Sequence, residues 1–193
     1  MNICIFGDSI TYGAYDPING GWVGLLRNYL EGKDDDITTY NLGICADDSY
    51  GLLKRFKGEA EPRKPDLIIF AIGVNDIKHQ KENPVQFNEF ENNINELVKQ
   101  ANQFTKKIVI LGITSVDEKL TTPRNRPPYN FRENKDIFRC NEILEKICEK
   151  EKTMFVPIPI DFSEKDLCDG LHPNTTGHLK IFKTIKSIIN NLT

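Results

Sequence analysis

The run Asp66-Leu67-Ile68-Ile69-Phe70-Ala71-Ile72 constrains the fold more than any other stretch of this chain. It has strand length and no polar alternation, so both of its faces must be buried, as in a parallel sheet covered on two sides. Four more runs share its character: Asn2–Phe6, Ile37–Leu42, Lys107–Ile113 and a weaker Met154–Pro159. The second follows the polar turn Gly32-Lys33-Asp34-Asp35-Asp36. Parallel neighbours need crossover connections, and segments of helical period stand between the runs. Trp22, Leu25, Leu26, Tyr29 and Leu30 form one stripe, and Leu52, Leu53 and Phe56 a second. Phe87, Phe90, Ile94, Leu97, Val98 and Ala101 form a long third, entered after Asn83-Pro84. Ile137, Ile143, Leu144, Ile147 and Cys148 form another, and Leu179, Ile181, Phe182, Ile185, Ile188 and Ile189 the last. Five strands alternating with helices predict an α/β sandwich with right-handed crossovers.

At 193 residues the chain is expected to form a single domain, 1–193, with a core that needs no disulfide or metal staple. A net charge of −3, with Lys and Arg spread along the chain, gives no electrostatic footprint for nucleic acid. The apolar runs are far shorter than the ~20 residues of a membrane span. Residues 1–6 show no secretion-signal pattern, and five scattered cysteines (4, 45, 140, 148 and 168) lack C-x-x-C spacing. Reduced thiols in the cytoplasm are therefore expected, with neither a disulfide framework nor a zinc site. Cys4 and Cys45 lie in apolar stretches and read as buried small hydrophobes.

Four short polar blocks fall at the ends of these strands. Gly7-Asp8-Ser9 follows the first, where a small residue allows a sharp turn that presents Ser9 at the strand's carboxyl edge. Alone the tripeptide is weak evidence, because Ser9 could simply cap the next segment. Asn41-Leu42-Gly43-Ile44-Cys45-Ala46-Asp47 follows the second strand, and its glycine marks a tight turn or a close backbone approach. Gly73-Val74-Asn75-Asp76 follows the most apolar strand, where an amide can donate a fixed hydrogen bond or an Asx turn can close the loop. Asp169-Gly170-Leu171-His172-Pro173 precedes the last helix, entered at Pro173-Asn174-Thr175. An aspartate paired with one imidazole nitrogen fixes the tautomer and leaves the other nitrogen as a base; Gly170 reads as the flexible joint between them. In a parallel sheet the strand ends share one edge, so a nucleophile, a base, an orienting acid and amide donors converge there. That combination is suited to acyl transfer.

One stretch breaks the rhythm: residues 114–130, TSVDEKLTTPRNRPPYN, with three prolines and no period. It follows a strand's carboxyl end, where open α/β sheets place ligands. It reads either as part of a substrate-binding rim, with Arg124, Asn125, Arg126 and Tyr129 as polar and cationic rim residues, or as a solvated excursion. His79, in a polar run, reads as solvated, and His178, on the last helix, as packed or facing water.

With these blocks in this order, the whole chain resembles the GDSL, or SGNH, hydrolase superfamily. The resemblance implies a flavodoxin-like three-layer α/β/α fold around a central parallel five-stranded sheet. It implies hydrolysis of esters or thioesters without metal or other cofactor. Carried over, Ser9 is the nucleophile and lends its backbone N–H to an oxyanion hole. Asn75 donates its side-chain amide there, and His172 is the base, oriented by Asp169. Asp8, Gly73 and Asp76 belong to the motifs as supports. The second block departs from the family pattern: Ala46 stands where the family has its oxyanion glycine, with Gly43 three residues earlier as the alternative donor. Alanine keeps the N–H that the role requires.

The substrate reads as a small or short-chain ester. A carbohydrate O-deacetylase, or a lysophospholipase or thioesterase, is the alternative within enzymes. A flavodoxin-like nucleotide-binding module is the alternative outside them. The loop after the first strand argues against that module, because it places a carboxylate where a phosphate would go and lacks G-x-G-x-x-G and G-x-x-x-x-G-K-[ST] spacings. No G-x-S-x-G elbow supports an α/β-hydrolase serine.

Overall fold

The computed structural model describes residues 1–78, 85–121, 132–158 and 162–192. Five parallel strands, β1 (Asn2–Gly7), β2 (Thr38–Gly43), β3 (Leu67–Ala71), β4 (Ile108–Leu111) and β5 (Met154–Val156), form one sheet in the order β2-β1-β3-β4-β5. This is the flavodoxin-like order, in which the chain reverses direction across the sheet between β1 and β3. The period of two along each strand sorts the apolar runs onto opposite faces. Ile3, Ile5, Leu67, Ile69, Val109 and Leu111 pack on one face, and Cys4, Phe6, Ile68, Phe70, Ile108 and Ile110 on the other.

Helices α2 (Gly21–Glu31) and α7 (Thr175–Ile189) cover the first face through Trp22, Val23, Leu26 and Leu30 and through Ile181, Ile185 and Ile189. Helices α3 (Ser49–Ala60), α4 (Phe87–Ala101) and α6 (Asn134–Glu151) cover the second, with Phe56 set edge-on to Phe6 at 5.0 Å and tilted against Phe70 at 5.4 Å. The starts of α3 and α7 are capped by side chains. Asp48 accepts from the Gly51 N–H at 2.8 Å, and Asn174 from the Gly177 N–H at 3.0 Å.

The structure departs from the sequence expectations mainly at element ends. The fourth strand stops at Leu111 rather than Ile113, because Asn141 of α6 takes over the backbone of Ile113, accepting from its N–H at 2.7 Å and donating to its carbonyl at 3.1 Å. The fifth ends at Val156, and Pro159 lies outside the described residues. Two four-residue helices, α1 (Ser9–Tyr12) and α5 (Glu118–Thr121), are too short to leave a period in the sequence. Cys4 is buried as expected, but Cys45 is exposed, because its apolar stretch continues past the end of β2 into a loop beyond the sheet edge.

His178 is fully buried. Its Nδ1 accepts from the Trp22 N–H at 3.2 Å and its Nε2 donates to the Ala14 carbonyl at 3.1 Å, which ties the loop before α2 to α7. Burial pushes its pKa down, so the neutral imidazole is the form that fits these two bonds. No helix among the described residues is long and apolar enough to cross a membrane.

The Phe6–Phe56–Phe70 cluster carries much of the contact between α3 and the sheet. Phe56→Ala is expected to cost about 3–5 kcal/mol of unfolding free energy, read from denaturant melts, with the slope of the transition unchanged.

Candidate active site

The site is built at the carboxyl edge of the sheet, on either side of the β1/β3 reversal. Gly7 ends β1 in a space that admits no side chain: a Cβ there would lie 2.1 Å from Thr11 Oγ1 and 2.3 Å from the Ala71 carbonyl oxygen. The chain therefore turns at once into α1, whose first residue is Ser9. Asp8 caps this helix by accepting from the Ile10 N–H at 2.8 Å. The Ser9 N–H is a first-turn donor with no carbonyl behind it.

Ser9 is buried, and its Oγ lies 2.9 Å from Nε2 of His172. Nδ1 of the same ring lies 2.7 Å from Asp169 Oδ2. The other carboxylate oxygen, Oδ1, accepts from the N–H groups of Leu171 at 3.0 Å and His172 at 2.8 Å. Asp169 thus closes its own loop and holds the imidazole at the same time. Burial pushes the Asp169 carboxyl up, but the His172 N–H, its ring and the Leu171 N–H outweigh it and hold the carboxyl below its ordinary value. An ionised carboxylate on Nδ1 requires the proton on that nitrogen, which leaves Nε2 as the acceptor facing Ser9.

Gly170, expected as a flexible joint, is instead a tight left-handed turn (φ +87°) pressed against Leu120 and the Asp117 carbonyl. The Tyr15 ring stands beside the imidazole with centroids 5.1 Å apart, on a backbone that is itself left-handed (φ +66°).

The β2 loop settles into a distinct geometry. Ala46 takes the left-handed conformation (φ +65°), is exposed, and its N–H makes no hydrogen bond among the described residues. Gly43 faces inward: a Cβ there would lie 2.3 Å from the Tyr12 nitrogen and 2.8 Å from the Thr11 carbonyl carbon, and its N–H is taken by Asn41 Oδ1 at 3.0 Å. Of the two alternatives, Ala46 holds the free N–H and the backbone angle suited to glycine, while Gly43 serves the packing of α1. Arg55 of α3 pins this loop with a fork onto Asp47, at 2.7 Å and 2.8 Å, and onto the Gly7 carbonyl at 3.2 Å.

The β3 loop brings Asn75 alongside. Its Nδ2 donates to the Asp47 carbonyl at 2.9 Å, which leaves one N–H free, and its Oδ1 accepts from Arg132 Nη2 at 2.5 Å. Gly73 (φ +135°) has no room for a Cβ, which would meet Ile113 at 2.6 Å. Asp76 accepts from the backbone N–H of Ser49 at 3.0 Å and from its hydroxyl, so it anchors the start of α3. Sequence reasoning missed Arg55 and Arg132; each is a single arginine with no spacing signal. The rim residues Arg124, Asn125, Arg126 and Tyr129, and also His79, lie outside the described residues.

A hydroxyl, an imidazole and a carboxylate stand in one hydrogen-bonded relay, an arrangement of the kind that serine hydrolases use. Residues 5–180 match the profile of the GDSL-like Lipase/Acylhydrolase family, and the chain belongs to that family. It is 23% identical to an acetylxylan esterase of Geobacillus stearothermophilus, over 92% of this chain and 88% of the relative. It is 24% identical to the esterase TesA of Pseudomonas aeruginosa, over 96% and 86%. Among solved structures it is similar to LAE5, an alpha/beta hydrolase enzyme from the metagenome of Lake Arreo, Spain (TM-score 0.78, 20% identity, 100% of this chain and 96% of that one). It is likewise similar to Axe2, the acetylxylan esterase of Geobacillus stearothermophilus (TM-score 0.76, 20% identity, 96% and 92%). The chain is an ester-cleaving hydrolase.

Two stability measurements test this geometry. Gly43→Ala is expected to destabilise by about 1–3 kcal/mol or more, since backbone atoms fill the Cβ position. Ala46→Gly relieves a left-handed alanine and is expected to be stabilising by up to about 1 kcal/mol. Equal denaturation midpoints for the two variants would contradict this assignment.

Asp8 gives a pH test. Burial pushes its carboxyl up from 3.8 to about 7, against the lowering pull of the Ile10 N–H and Arg132. A carboxyl raised in the folded state lends stability fully below pH 3.8, and that stability is lost as the pH rises toward 7. Asp8→Asn keeps the cap acceptor without the charge. It should match the parent's melting temperature near pH 4 and exceed it increasingly up to pH 8; a constant difference across that range would refute the buried charge.

Proposed function

We propose that Ser9 is the nucleophile of a short-chain carboxylesterase working through an acyl-enzyme, in one catalytic domain spanning 1–193. The observation that carries the reading is the relay Ser9 Oγ–His172 Nε2–Nδ1–Asp169, at 2.9 Å and 2.7 Å. His172 Nε2 removes the hydroxyl proton as Oγ attacks the ester carbonyl, and Asp169 stabilises the imidazolium that forms. The N–H groups of Ser9 and Ala46 and the free Nδ2 hydrogen of Asn75 receive the oxyanion. His172 returns the proton to the leaving alcohol, and water then repeats the cycle on the acyl-enzyme. Asp8, Gly73 and Asp76 act as supports. The five free cysteines favour a reducing, cytoplasmic setting.

A sugar O-acetyl ester is the second reading, favoured by one feature. A polar cleft of ~280 Å³ opens beside Asn75, lined by Asp48, Tyr50, Asp76, Gln86 and Asn93 among others. Carboxylates, amides and a half-exposed aromatic ring suit a polyhydroxylated alcohol better than a lipid tail. The acetylxylan esterase among the relatives is in keeping with this.

Ser9→Ala is expected to abolish labelling by a fluorophosphonate probe, and Asn75→Ala to lower kcat by about 10²–10³-fold in a normally folded protein. A panel of p-nitrophenyl esters of rising chain length, run beside acetylated xylo-oligosaccharides, reads the substrate. The proposal expects acetate to be cleaved at least about tenfold faster than octanoate. A preference for octanoate, or labelling that survives the Ser9 substitution, would refute it.

A further inference from the structure

Arg132 lies two residues before α6 and is almost completely buried. Nothing in its immediate sequence suggests a task for it. Its guanidinium makes two short bonds to consecutive residues of the β3 loop: Nε donates to the Val74 carbonyl at 2.6 Å, and Nη2 donates to Asn75 Oδ1 at 2.5 Å. One planar fork therefore holds a backbone carbonyl and the side-chain oxygen next to it.

A guanidinium has donors only, so the oxygen end of the Asn75 amide must face it. The Asp47 carbonyl has acceptors only, so the nitrogen end must face that side, at 2.9 Å. The two contacts agree on a single orientation of the amide, and they leave one Nδ2 hydrogen with no partner among the described residues. Without Arg132, the Asp47 contact alone would fix one N–H while the amide plane could swing about it.

From this geometry we infer that Arg132 is a positioning residue of the esterase reaction: it fixes the Asn75 amide so that its free N–H meets the oxyanion without reorganising. This rests on the proposed oxyanion role of Asn75. The same segment also grips the opposite loop, since the Asp117 N–H donates to the Gly170 carbonyl at 2.8 Å. Its base is closed by Asn134, whose Oδ1 accepts from the Val116 N–H at 2.9 Å and whose Nδ2 donates to the Val116 carbonyl at 3.0 Å. Arg132 thus braces the loop of Asn75, and Asp117 the loop of Asp169 and His172.

The test is a double-mutant cycle on p-nitrophenyl acetate hydrolysis, using Arg132→Lys, Asn75→Ala and the double variant, with folding checked by thermal melts. Lysine keeps the charge but not the fork. Acting through Asn75, Arg132→Lys should lower kcat by about 10- to 100-fold, within the 10²–10³ that one oxyanion donor supplies, and leave KM within about 3-fold. In the Asn75→Ala background the same change should cost less than about 3-fold. An equal loss in both backgrounds overturns the inference and leaves the Asn75 role standing. If Asn75→Ala alone retains full activity, the oxyanion assignment fails first and the inference falls with it. Should Arg132→Lys not fold, Arg132→Gln replaces it in the cycle; if neither folds, the arginine is structural and the inference is overturned.

Discussion

The burial of both faces of one parallel sheet is the constraint from which the rest of this molecule follows. Ile68, Ile69 and Phe70 can be covered on two sides only if helices pack above and below, and β3 accordingly carries apolar side chains throughout. Polar groups are displaced to the strand ends. In a parallel sheet the carboxyl ends all lie along one edge, so Ser9, Ala46 and Asn75 come from three separate strands to the same neighbourhood. The β1/β3 reversal lies between the strands whose ends carry Ser9 and Asn75. The chemistry of the site is thus a by-product of how the core excludes water.

Holding the site costs the fold something. Asp8 is almost wholly buried and Asp76 largely so, and burial pushes their carboxyls up to about 7 and about 6. Burial likewise pushes the guanidinium of Arg132 down, while Asp8 and Asp169 pull it back up. These groups are tolerated because each anchors a segment that cannot otherwise be fixed: Asp8 starts α1, Asp76 the N-terminus of α3, Arg132 the β3 loop. Ala46 and Tyr15 add left-handed backbones without glycine, in the same short loops. Some of the chain's left-handed backbone and buried charge thus lies in the loops of the proposed reaction, while Lys64 and Lys152 carry the same backbone at helix ends elsewhere.

Most of the architecture was legible because it is written in periodicity. The five strands and the five long helices all leave a repeating pattern; α3, α6 and α7 extend three or four residues beyond their stripes at one end or both, and β4 and β5 end two and three residues short of their runs. Those two ends were lost because tertiary partners, not local sequence, decide them; Asn141 capturing the backbone of Ile113 is the clear example. Ser9 and Asn75 were legible as residue types just past strand ends, and Asp169 and His172 as a spaced pair before the last helix; the structure brings Ser9, His172 and Asp169 into one relay. Arg55 and Arg132 were not legible. Each acts across 48 to 58 residues of chain, on the carbonyls of Gly7 and Val74, and a carbonyl leaves no mark in a sequence. Cys45 misled for a related reason, since an apolar neighbour says nothing about whether the sheet has already ended.

In the Asp169–His172 loop one carboxylate serves two partners. An acid three residues before its histidine could in principle reach the ring or the backbone, and here a single carboxylate reaches both. Oδ1 closes the turn through two N–H groups while Oδ2 takes the ring nitrogen. Because the turn holds the carboxylate through Oδ1, Oδ2 is kept in place to receive the ring Nδ1–H. The left-handed Gly170 makes the turn tight enough for this, and the Asp117 N–H on the Gly170 carbonyl keeps it so. Asp169 is partly exposed, whereas Ser9 is buried. Local backbone bonding rather than depth supplies the rigidity that the proposed proton transfer needs.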